Sequence, residues 1–215
     1  MPTAIQMRRP ATLRAHQAAC RECHVCVDEG IIPEANPTFQ GVWRAPFFLV
    51  GQAPGPAERE SRRPFSGRAG KELDRWMVRA GFEGPDEFRR LTYIAALARC
   101  FPGRNRAGTG DLKPSPAAVA NCAHWLDAEL KLLEPKVLIL VGQMAIVRFL
   151  GPGRLEDRVG WSFGVRPVMI PLPHPSGQSR WLNDPANRAR LASALELVGR
   201  QRLTLARPTR SASNS

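Results

Sequence analysis

The chain has 215 residues, of which 43% are hydrophobic and 23% are charged, a composition typical of one sizeable globular domain. Lysine and arginine number 31 against 19 aspartates and glutamates, which gives a net charge of +12. No apolar run is long enough to cross a bilayer, and we identify no secretory leader, so we expect a cytoplasmic protein without a membrane partner.

The positive charge is almost entirely arginine, because lysine occurs at only four positions, 71, 113, 131 and 136. The planar guanidinium of arginine binds phosphate through two parallel hydrogen bonds and stacks on nucleic-acid bases. The charge therefore favours a nucleic-acid partner, although a high arginine content also follows from genome composition alone. We expect the protein to act as a monomer.

Four short apolar runs alternate with segments of helical periodicity. Residues 1–10 hold few periodic apolar positions and predict a flexible N-terminus. Residues 11–205 are expected to form a single domain, and the Ser/Arg-rich residues 206–215 a disordered tail. Helices are predicted at residues 11–19, 117–133, 144–150 and 187–200, and another, with Leu73, Trp76 and Met77 on one face, ends at Gly81. The predicted strands are residues 47–51, 93–97, 137–141 and 168–172.

Strands that alternate with helices predict an α/β protein whose mostly parallel sheet is covered on both faces. In such sheets, ligands bind beyond the carboxyl ends of the strands. Each predicted strand ends in a loop that contains Gly, Pro, Gln, Cys or His. We therefore expect the four loops to form one site.

The first of these loops is Gly51-Gln52-Ala53-Pro54-Gly55. Glycine tolerates positive φ and proline fixes its own φ, so such a loop can bring backbone N–H groups close to a ligand. The loop lacks both the G-x-G-x-x-G pattern of a dinucleotide site and the G-K-[ST] end of a Walker loop. A generic turn and a phosphate-binding loop are both compatible with it.

The fourth loop places His174 between Pro173 and Pro175. Two prolines restrict the backbone on both sides of the histidine and so direct its ring. The residues that follow offer donors to a phosphate and a projecting tip: Ser176, Gly177, Gln178, Ser179, Arg180 and Trp181. The alternative interpretation is a solvent-exposed turn with an incidental histidine.

Five cysteines in a chain expected in the cytoplasm argue against a disulfide framework. Cys20, Cys23 and Cys26 are separated by two residues each, and Cys100 and Cys122 lie far downstream. A C-x-x-C pair with two distant cysteines is typical of zinc sites and of [4Fe–4S] clusters, and packing thiols are a third interpretation. One cysteine is surplus, because C-x-x-C fits two pairs, Cys20 with Cys23 and Cys23 with Cys26.

Six motifs occur in a characteristic order: C-x-x-C at 23–26, GQAPG at 51–55, RPFSGRAG at 63–70, RCFPG at 99–103, Cys122-x-x-Trp125-Leu126, and PHPSGQSR at 173–180. Together they resemble an iron–sulfur member of the uracil-DNA glycosylase superfamily related to families 4 and 5. The resemblance covers residues 20–199, most of the chain. It implies a three-layer α/β/α sandwich with a central four-stranded parallel sheet.

The resemblance also implies a uracil pocket. By position, backbone amides of the loop at Gln52, Ala53 and Gly55 contact the base, and this loop places the attacking water. Phe65 stacks on the flipped base. His174 donates a hydrogen bond to uracil O2 as negative charge develops on the leaving base, which is an oxyanion-type role.

Two further sites follow from the resemblance. The loop with Ser176, Gly177, Gln178, Ser179 and Arg180 grips phosphates and fills the gap that the flipped base leaves. Cys23, Cys26, Cys100 and Cys122 hold a [4Fe–4S] cluster that is structural rather than catalytic, with zinc as the alternative.

The chain departs from the family pattern at the usual acid and the usual base reader. Gln52 stands where family 4 has Glu, and an amide cannot act as a general base. Ala96 stands where families 1 and 4 have an Asn that reads uracil. Asp111, in a Gly-rich loop, is a candidate to orient water or bind the uracil imide, the alternative being a surface aspartate that caps a turn. Glu58 either pairs with Arg63 or crowds C5 of the base and excludes thymine.

We expect a monofunctional uracil-DNA glycosylase of base excision repair, because no lysine is placed as a Schiff-base nucleophile for AP-lyase chemistry. If the uracil anion leaves first, water need only be positioned, and stabilisation of the anion supplies most of the rate. One alternative is a protein that binds uracil-containing or abasic DNA with slow turnover or none. Another is a doubly wound enzyme that acts on a small nucleotide.

Overall fold

The computed structural model describes residues 4–108, 110–176 and 180–206, with side chains from residue 11 onward. Residues 1–3 of the predicted flexible N-terminus and residues 207–215 of the predicted tail lie outside this range. Residues 4–10 belong to the first helix, Ala4–Arg21. This helix begins earlier than predicted, because alanine, glutamine, methionine and arginine favour helix even where apolar periodicity is weak.

The secondary structure alternates along the chain as expected for an α/β protein. The strands are β1 (Phe47–Gly51), β2 (Thr92–Ala96), β3 (Val137–Val141) and β4 (Val168–Leu172). The helices are α1 (Ala4–Arg21), α2 (Val25–Asp28), α3 (Pro56–Ser61), α4 (Arg68–Arg79), α5 (Pro85–Leu91), α6 (Pro116–Leu133), α7 (Gln143–Leu150) and α8 (Pro185–Ala206). Short 3-10 turns occur at Leu155–Asp157 and Arg180–Asn183. No helix in the described ranges has the length and apolar character that a bilayer crossing requires.

The four strands form one parallel sheet in the order β2-β1-β3-β4. Within it, Phe47 of β1 lies opposite Thr92 on one side and Val137 on the other. The predicted bounds of β1, β3 and β4 are confirmed, whereas β2 is Thr92–Ala96 rather than residues 93–97. The prediction of a four-stranded parallel sheet is therefore confirmed.

Alternate residues of each strand point to opposite faces of the sheet, and each face has its own apolar cluster. One cluster joins β1 residues such as Phe47 and Leu49 to helices α4, α5 and α8. The other joins Phe48 and Val50 to helices α1, α6 and α7. This arrangement is the predicted three-layer α/β/α sandwich.

The carboxyl ends of the parallel strands meet at one edge of the sheet, where the loops that follow them are joined. The backbone N–H groups of Leu97 and Ala98 donate to the carbonyls of Gly51 and Gln52, at 3.0 and 3.1 Å. The N–H of Gly142, after β3, donates to Leu172 O at 2.9 Å. This edge therefore holds together the loops that the sequence singled out.

Candidate active site and cysteine cavity

Glu58 holds two loops at the carboxyl edge of the sheet in a fixed relation. Its Oε2 accepts a hydrogen bond from Gly55 N at 3.0 Å, and its Oε1 accepts one from Gly67 N at 2.9 Å. The loop after β1 is thereby tied to the segment that precedes α4. Among the described residues no ion pair joins Glu58 to Arg63, so the structure gives no support to the alternative of that pairing. Each carboxylate oxygen of Glu58 thus accepts a hydrogen bond from a backbone N–H group.

Phe65 lies over the end of β1. A Cβ added to Gly51 would lie 3.4 Å from the Phe65 ring, and the ring also packs against the apolar cluster on that face. Phe65 adopts a left-handed backbone conformation with φ of 52°. Gly70 lies so close that a Cβ there would lie 1.8 Å from Phe65 O, so only glycine fits at position 70. The ring is therefore presented beside the loop that contains Gln52 and Ala53, both half-buried.

The His174 ring is held in one tautomer by its own loop. Its Nδ1 accepts a hydrogen bond from Ser176 N at 3.2 Å, so in the neutral ring the proton resides on Nε2. Burial lowers the pKa of His174, and the negative charge of Glu58 opposes this shift. The ring packs beside Gly142, after β3. The residue is thus a neutral Nε2–H donor at the carboxyl edge of the sheet.

The lowered pKa of His174 predicts a pH dependence of stability. Below the ordinary pKa of about 6.5, the unfolded chain binds a proton that the folded chain excludes. The free energy of unfolding should therefore decrease as the pH falls through this region, by at most about 1.4 kcal/mol per pH unit. Urea unfolding at neutral and mildly acidic pH measures it, and a His174→Gln variant should show a smaller decrease. An equal decrease in both proteins would contradict the prediction.

Asp111 reaches the loop after β1, although the two are far apart in sequence. A Cβ added to Gly55 would lie 3.5 Å from Asp111 Oδ2. The connection is a small hairpin in which Asn105 N donates to Gly110 O and Leu112 N donates to Gly103 O, both at 2.9 Å. The Asp111 side chain is exposed to solvent, so water can reach its carboxylate. Its position agrees with the pocket interpretation, and its role is still a prediction.

The last residue of β2, Ala96, has no polar side chain that could form a hydrogen bond to a base. Ala96 is 8% exposed and lies opposite Gly51 in the sheet. Polar groups that face this side of the site come from the surrounding loops instead. Gln52 and Asp111 are the candidates that the sequence provides for this side.

Part of the predicted DNA-binding loop lies outside the described residues, namely Gly177, Gln178 and Ser179. Ser176 is half-buried and Arg180 is exposed. After them, Trp181 Nε1 donates to Glu156 Oε1 at 2.8 Å, which fixes one end of the loop to the turn before β4. Sequence reasoning missed Glu156, because no local pattern connects residues so far apart.

The five cysteines line one small cavity. Three of the sulfurs accept hydrogen bonds: Cys100 from Asn36 N at 3.3 Å, Cys122 from Arg99 N at 3.4 Å, and Cys26 from Asn121 Nδ2 at 3.7 Å. Burial raises the pKa of Cys100 to about 12, with further increases from Cys122, Cys26 and Cys23. The chain therefore gathers the four predicted ligands around one space.

Cys20 differs from the other four cysteines in its surroundings. Its side chain is fully buried and belongs to the apolar cluster beneath α1 and α6. Burial raises its pKa to about 12. These surroundings suit a packing thiol and favour Cys26 over Cys20 as a ligand, a choice that the sequence left open.

Two buried donors of this cavity lack an acceptor among the described residues, Trp125 Nε1 and Arg99 Nε. Sulfurs of an iron–sulfur cluster accept hydrogen bonds, whereas a zinc ion enclosed by four thiolates adds no acceptor of its own. In the described part of the chain, no group of three or more His, Cys, Asp or Glu side chains that could hold a metal ion is found. The two unsatisfied donors suit the sulfurs of a cluster, and the choice between cluster and zinc is still a prediction.

A buried charge network adjoins the cavity through Arg99, which lines it. Sequence reasoning missed this network. Arg99 donates to Glu129 through both terminal nitrogens, at 3.2 and 2.5 Å, and Tyr93 Oη donates to Glu129 Oε1 at 2.8 Å. Burial favours the neutral form of Glu129, but the charge of Arg99 and the hydrogen bonds from His16, Arg99 and Tyr93 together outweigh it and hold the pKa of Glu129 below its ordinary value. The only sequence signal is an arginine beside Cys100 after an apolar strand.

Comparisons with known proteins agree with these features. The family model described as the uracil DNA glycosylase superfamily matches residues 39–197, a range that includes both pocket loops but not Cys20, Cys23 and Cys26. The chain is similar to the type-4 uracil-DNA glycosylase of Thermotoga maritima, at 30% identity over 60% of this chain and 63% of the relative. It is also similar to the type-4 enzyme of Archaeoglobus fulgidus, at 31% identity over 47% and 46% of the two chains. It is similar as well to the type-5 enzyme of Thermus thermophilus, at 31% identity over 60% of this chain and 56% of the relative. The matched segments thus span about half to less than two thirds of these relatives.

Proposed function

Because this chain belongs to the uracil DNA glycosylase superfamily, we propose that it is a monofunctional uracil-DNA glycosylase. It flips uracil out of DNA and hydrolyses the N-glycosidic bond, which leaves an abasic site for base excision repair. The main observation behind this proposal is the neutral His174 donor beside Gly142, at the same edge of the sheet as the Phe65 ring and the loop after β1. The names of its similar relatives support the same activity.

The target base has to leave the stack, because C1′ and the base edges are shielded inside DNA. The Phe65 ring stacks on the flipped uracil, and the backbone of Gln52, Ala53 and Gly55 borders it. The Nε2–H of His174 donates to uracil O2. This bond strengthens as the leaving base becomes an anion, so it stabilises the transition state more than the ground state.

The residues that position and activate the attacking water differ from those of family 4. Gln52 has an amide where that family has a carboxylate, so it orients water without removing a proton. We assign the acid to Asp111, whose carboxylate lies beside Gly55. Glu58 accepts hydrogen bonds from two backbone amides, so it shapes the pocket wall and crowds C5 of the base.

Asp111→Asn is expected to lower the rate of uracil release at least tenfold, about 1.4 kcal/mol of activation free energy. The amide keeps the shape of the side chain but does not hold the negative charge that orients water. Single-turnover cleavage of a uracil oligonucleotide measures this rate. Asp127→Asn is the matched control, because Asp127 is an exposed aspartate that pairs with Arg148 on the outer surface of α6 and α7. An unchanged rate for Asp111→Asn would mean that Asp111 is a surface aspartate that caps a turn.

Contacts to the DNA backbone come from the loop after β4. We expect Ser176, Gly177 and Ser179 to offer hydroxyl and backbone donors to phosphates, Arg180 to add a cation, and Gln178 to fill the gap left by the base. The chain-wide charge of +12 adds non-specific attraction that weakens with salt.

A [4Fe–4S] cluster held by Cys23, Cys26, Cys100 and Cys122 is part of the proposal. The cluster would stabilise the fold by joining the segment around α2 to the loop after β2 and to α6. Uracil release would need no redox step. The support is the cysteine-lined cavity with its two unsatisfied donors. Iron and acid-labile sulfide analysis of the purified protein distinguishes cluster from zinc.

One assay tests the proposed activity. The protein is incubated with single- and double-stranded DNA that contains one uracil, and the DNA is then treated with alkali. Strand breaks at the uracil support the glycosylase. Retention of abasic DNA without turnover would indicate a binding protein, and hydrolysis of free nucleotides without strand breaks would indicate a different enzyme.

A further inference from the structure

Arg89 of α5 binds the backbone that presents the Phe65 ring. Its Nη1 donates to Pro64 O and its Nη2 donates to Phe65 O, both at 2.9 Å. The residue is 6% exposed, and its second partner, Asp74, lies 3.5 Å from Nη2. The guanidinium therefore spans two consecutive carbonyls at the base of the loop.

The conformation at Phe65 requires such support. A non-glycine residue at positive φ is strained by about 1–3 kcal/mol and persists only where its surroundings fix it. Here the surroundings are the two hydrogen bonds from Arg89 and the close backbone contact of Gly70. Both Arg89 and Gly70 contact the backbone of Phe65.

The charge balance around Arg89 points to the same role. Burial lowers the pKa of Arg89, and Asp74 only partly opposes this effect. Burial also raises the pKa of Asp74 more than Arg89 lowers it. A buried arginine that is only partly compensated by its carboxylate partner is a costly way to stabilise a fold, and its shortest contacts are to the carbonyls of Pro64 and Phe65.

From these contacts we infer that Arg89 is a positioning residue for base stacking. It holds the Phe65 backbone so that the ring stays parallel to the flipped base. Lysine cannot replace it, because an ammonium lacks the planar fork that reaches two carbonyls at once. The inference rests on the proposed glycosylase function, since it assigns a role to a ring in that site.

The test is a double-mutant cycle between Arg89→Met and Phe65→Ala, read as kcat/KM for uracil release from a single-stranded oligonucleotide. Arg89→Met alone is expected to lower kcat/KM by about 10- to 100-fold, the effect of a small misplacement in an active site. In the Phe65→Ala background, it should lower kcat/KM by less than about threefold, because the ring through which it acts is absent.

The matched control is Arg202→Met. Arg202 is another largely buried arginine that contacts α5, where it donates to Glu87 at 3.1 and 2.7 Å. This variant should lose stability in urea but keep its kcat/KM. If Arg89→Met does not fold, the same cycle is made with Arg89→Lys, which keeps the charge beside Asp74.

Three results would overturn the inference: equal effects of Arg89→Met and Arg202→Met on kcat/KM, equal effects of Arg89→Met with and without Phe65, or a normal rate for Arg89→Met. The wild-type rate tests the proposed function separately. Binding of an oligonucleotide with uncleavable 2′-fluoro-2′-deoxyuridine gives a second readout, in which the same cycle is applied to Kd. A wild type that neither releases uracil nor prefers this oligonucleotide would overturn both proposals.

Discussion

His174→Ala is expected to lower kcat for uracil release by about 100- to 1,000-fold, the effect of removing one oxyanion donor, about 2.7–4 kcal/mol. The physical reason is the Nε2–H of a ring that its own loop holds neutral. No described group is placed to replace this donor after truncation. Single-turnover kinetics isolate the chemical step from product release.

Affinity for DNA separates this role from a structural one. Binding of an oligonucleotide with uncleavable 2′-fluoro-2′-deoxyuridine should change little in His174→Ala, because the donor acts mainly on developing charge. His174→Asn supplies a shorter N–H donor and should have an intermediate rate. A near-normal rate for His174→Ala would contradict the assignment of His174 as the oxyanion donor. Equal losses in rate and in binding would show that His174 contacts the substrate in the ground state as strongly as in the transition state.

Cys122→Ser is expected to abolish iron binding and to lower the free energy of unfolding by about 4 kcal/mol, the value that linkage gives for a ligand present at a thousand times its Kd. Cys122 lies on α6 and accepts a hydrogen bond from Arg99 N, so its loss separates α6 from the loop after β2. Iron analysis and urea unfolding of the same preparation give both quantities.

Cys20→Ala provides the matched control for the ligand assignment. Cys20 lines the same cavity but packs in the apolar cluster, so this variant should keep its iron and lose only packing. Loss of iron in Cys20→Ala together with retention in Cys26→Ala would exchange the two cysteines. Zinc in place of iron and sulfide in the wild type would contradict the cluster.

The strands could be predicted almost residue by residue, because each is a short apolar run that is buried on both faces, such as Val137–Val141. Helices α2, α3 and α5 were missed. All three are too short to show apolar periodicity, and α3 and α5 begin with proline, Pro56 and Pro85. The three-layer architecture followed from the alternation of elements, which is a property of the whole chain rather than of any single segment.

The site could be predicted only in part. His174 is recognisable because prolines on both sides restrict it, whereas the hydrogen bond that sets its tautomer is a property of the folded loop. For Asp111 the sequence left two interpretations open, an acid of the pocket and a surface aspartate that caps a turn. Only the folded hairpin that contains Asp111 determines how near it lies to Gly55. Arg89 and Glu129 left no signal, because their partners are distant in sequence and no local spacing encodes them.

The pairing of β1 with β3 has a consequence for synthesis on the ribosome. Phe47 pairs with Val137, so the middle of the sheet cannot close until the chain beyond β3 has emerged. Cys23 and Cys26 are made long before Cys100 and Cys122. A nascent chain therefore exposes half of its ligand set, and an unpaired edge of β1, for most of translation, and protection of these thiols and this edge becomes a requirement for productive expression.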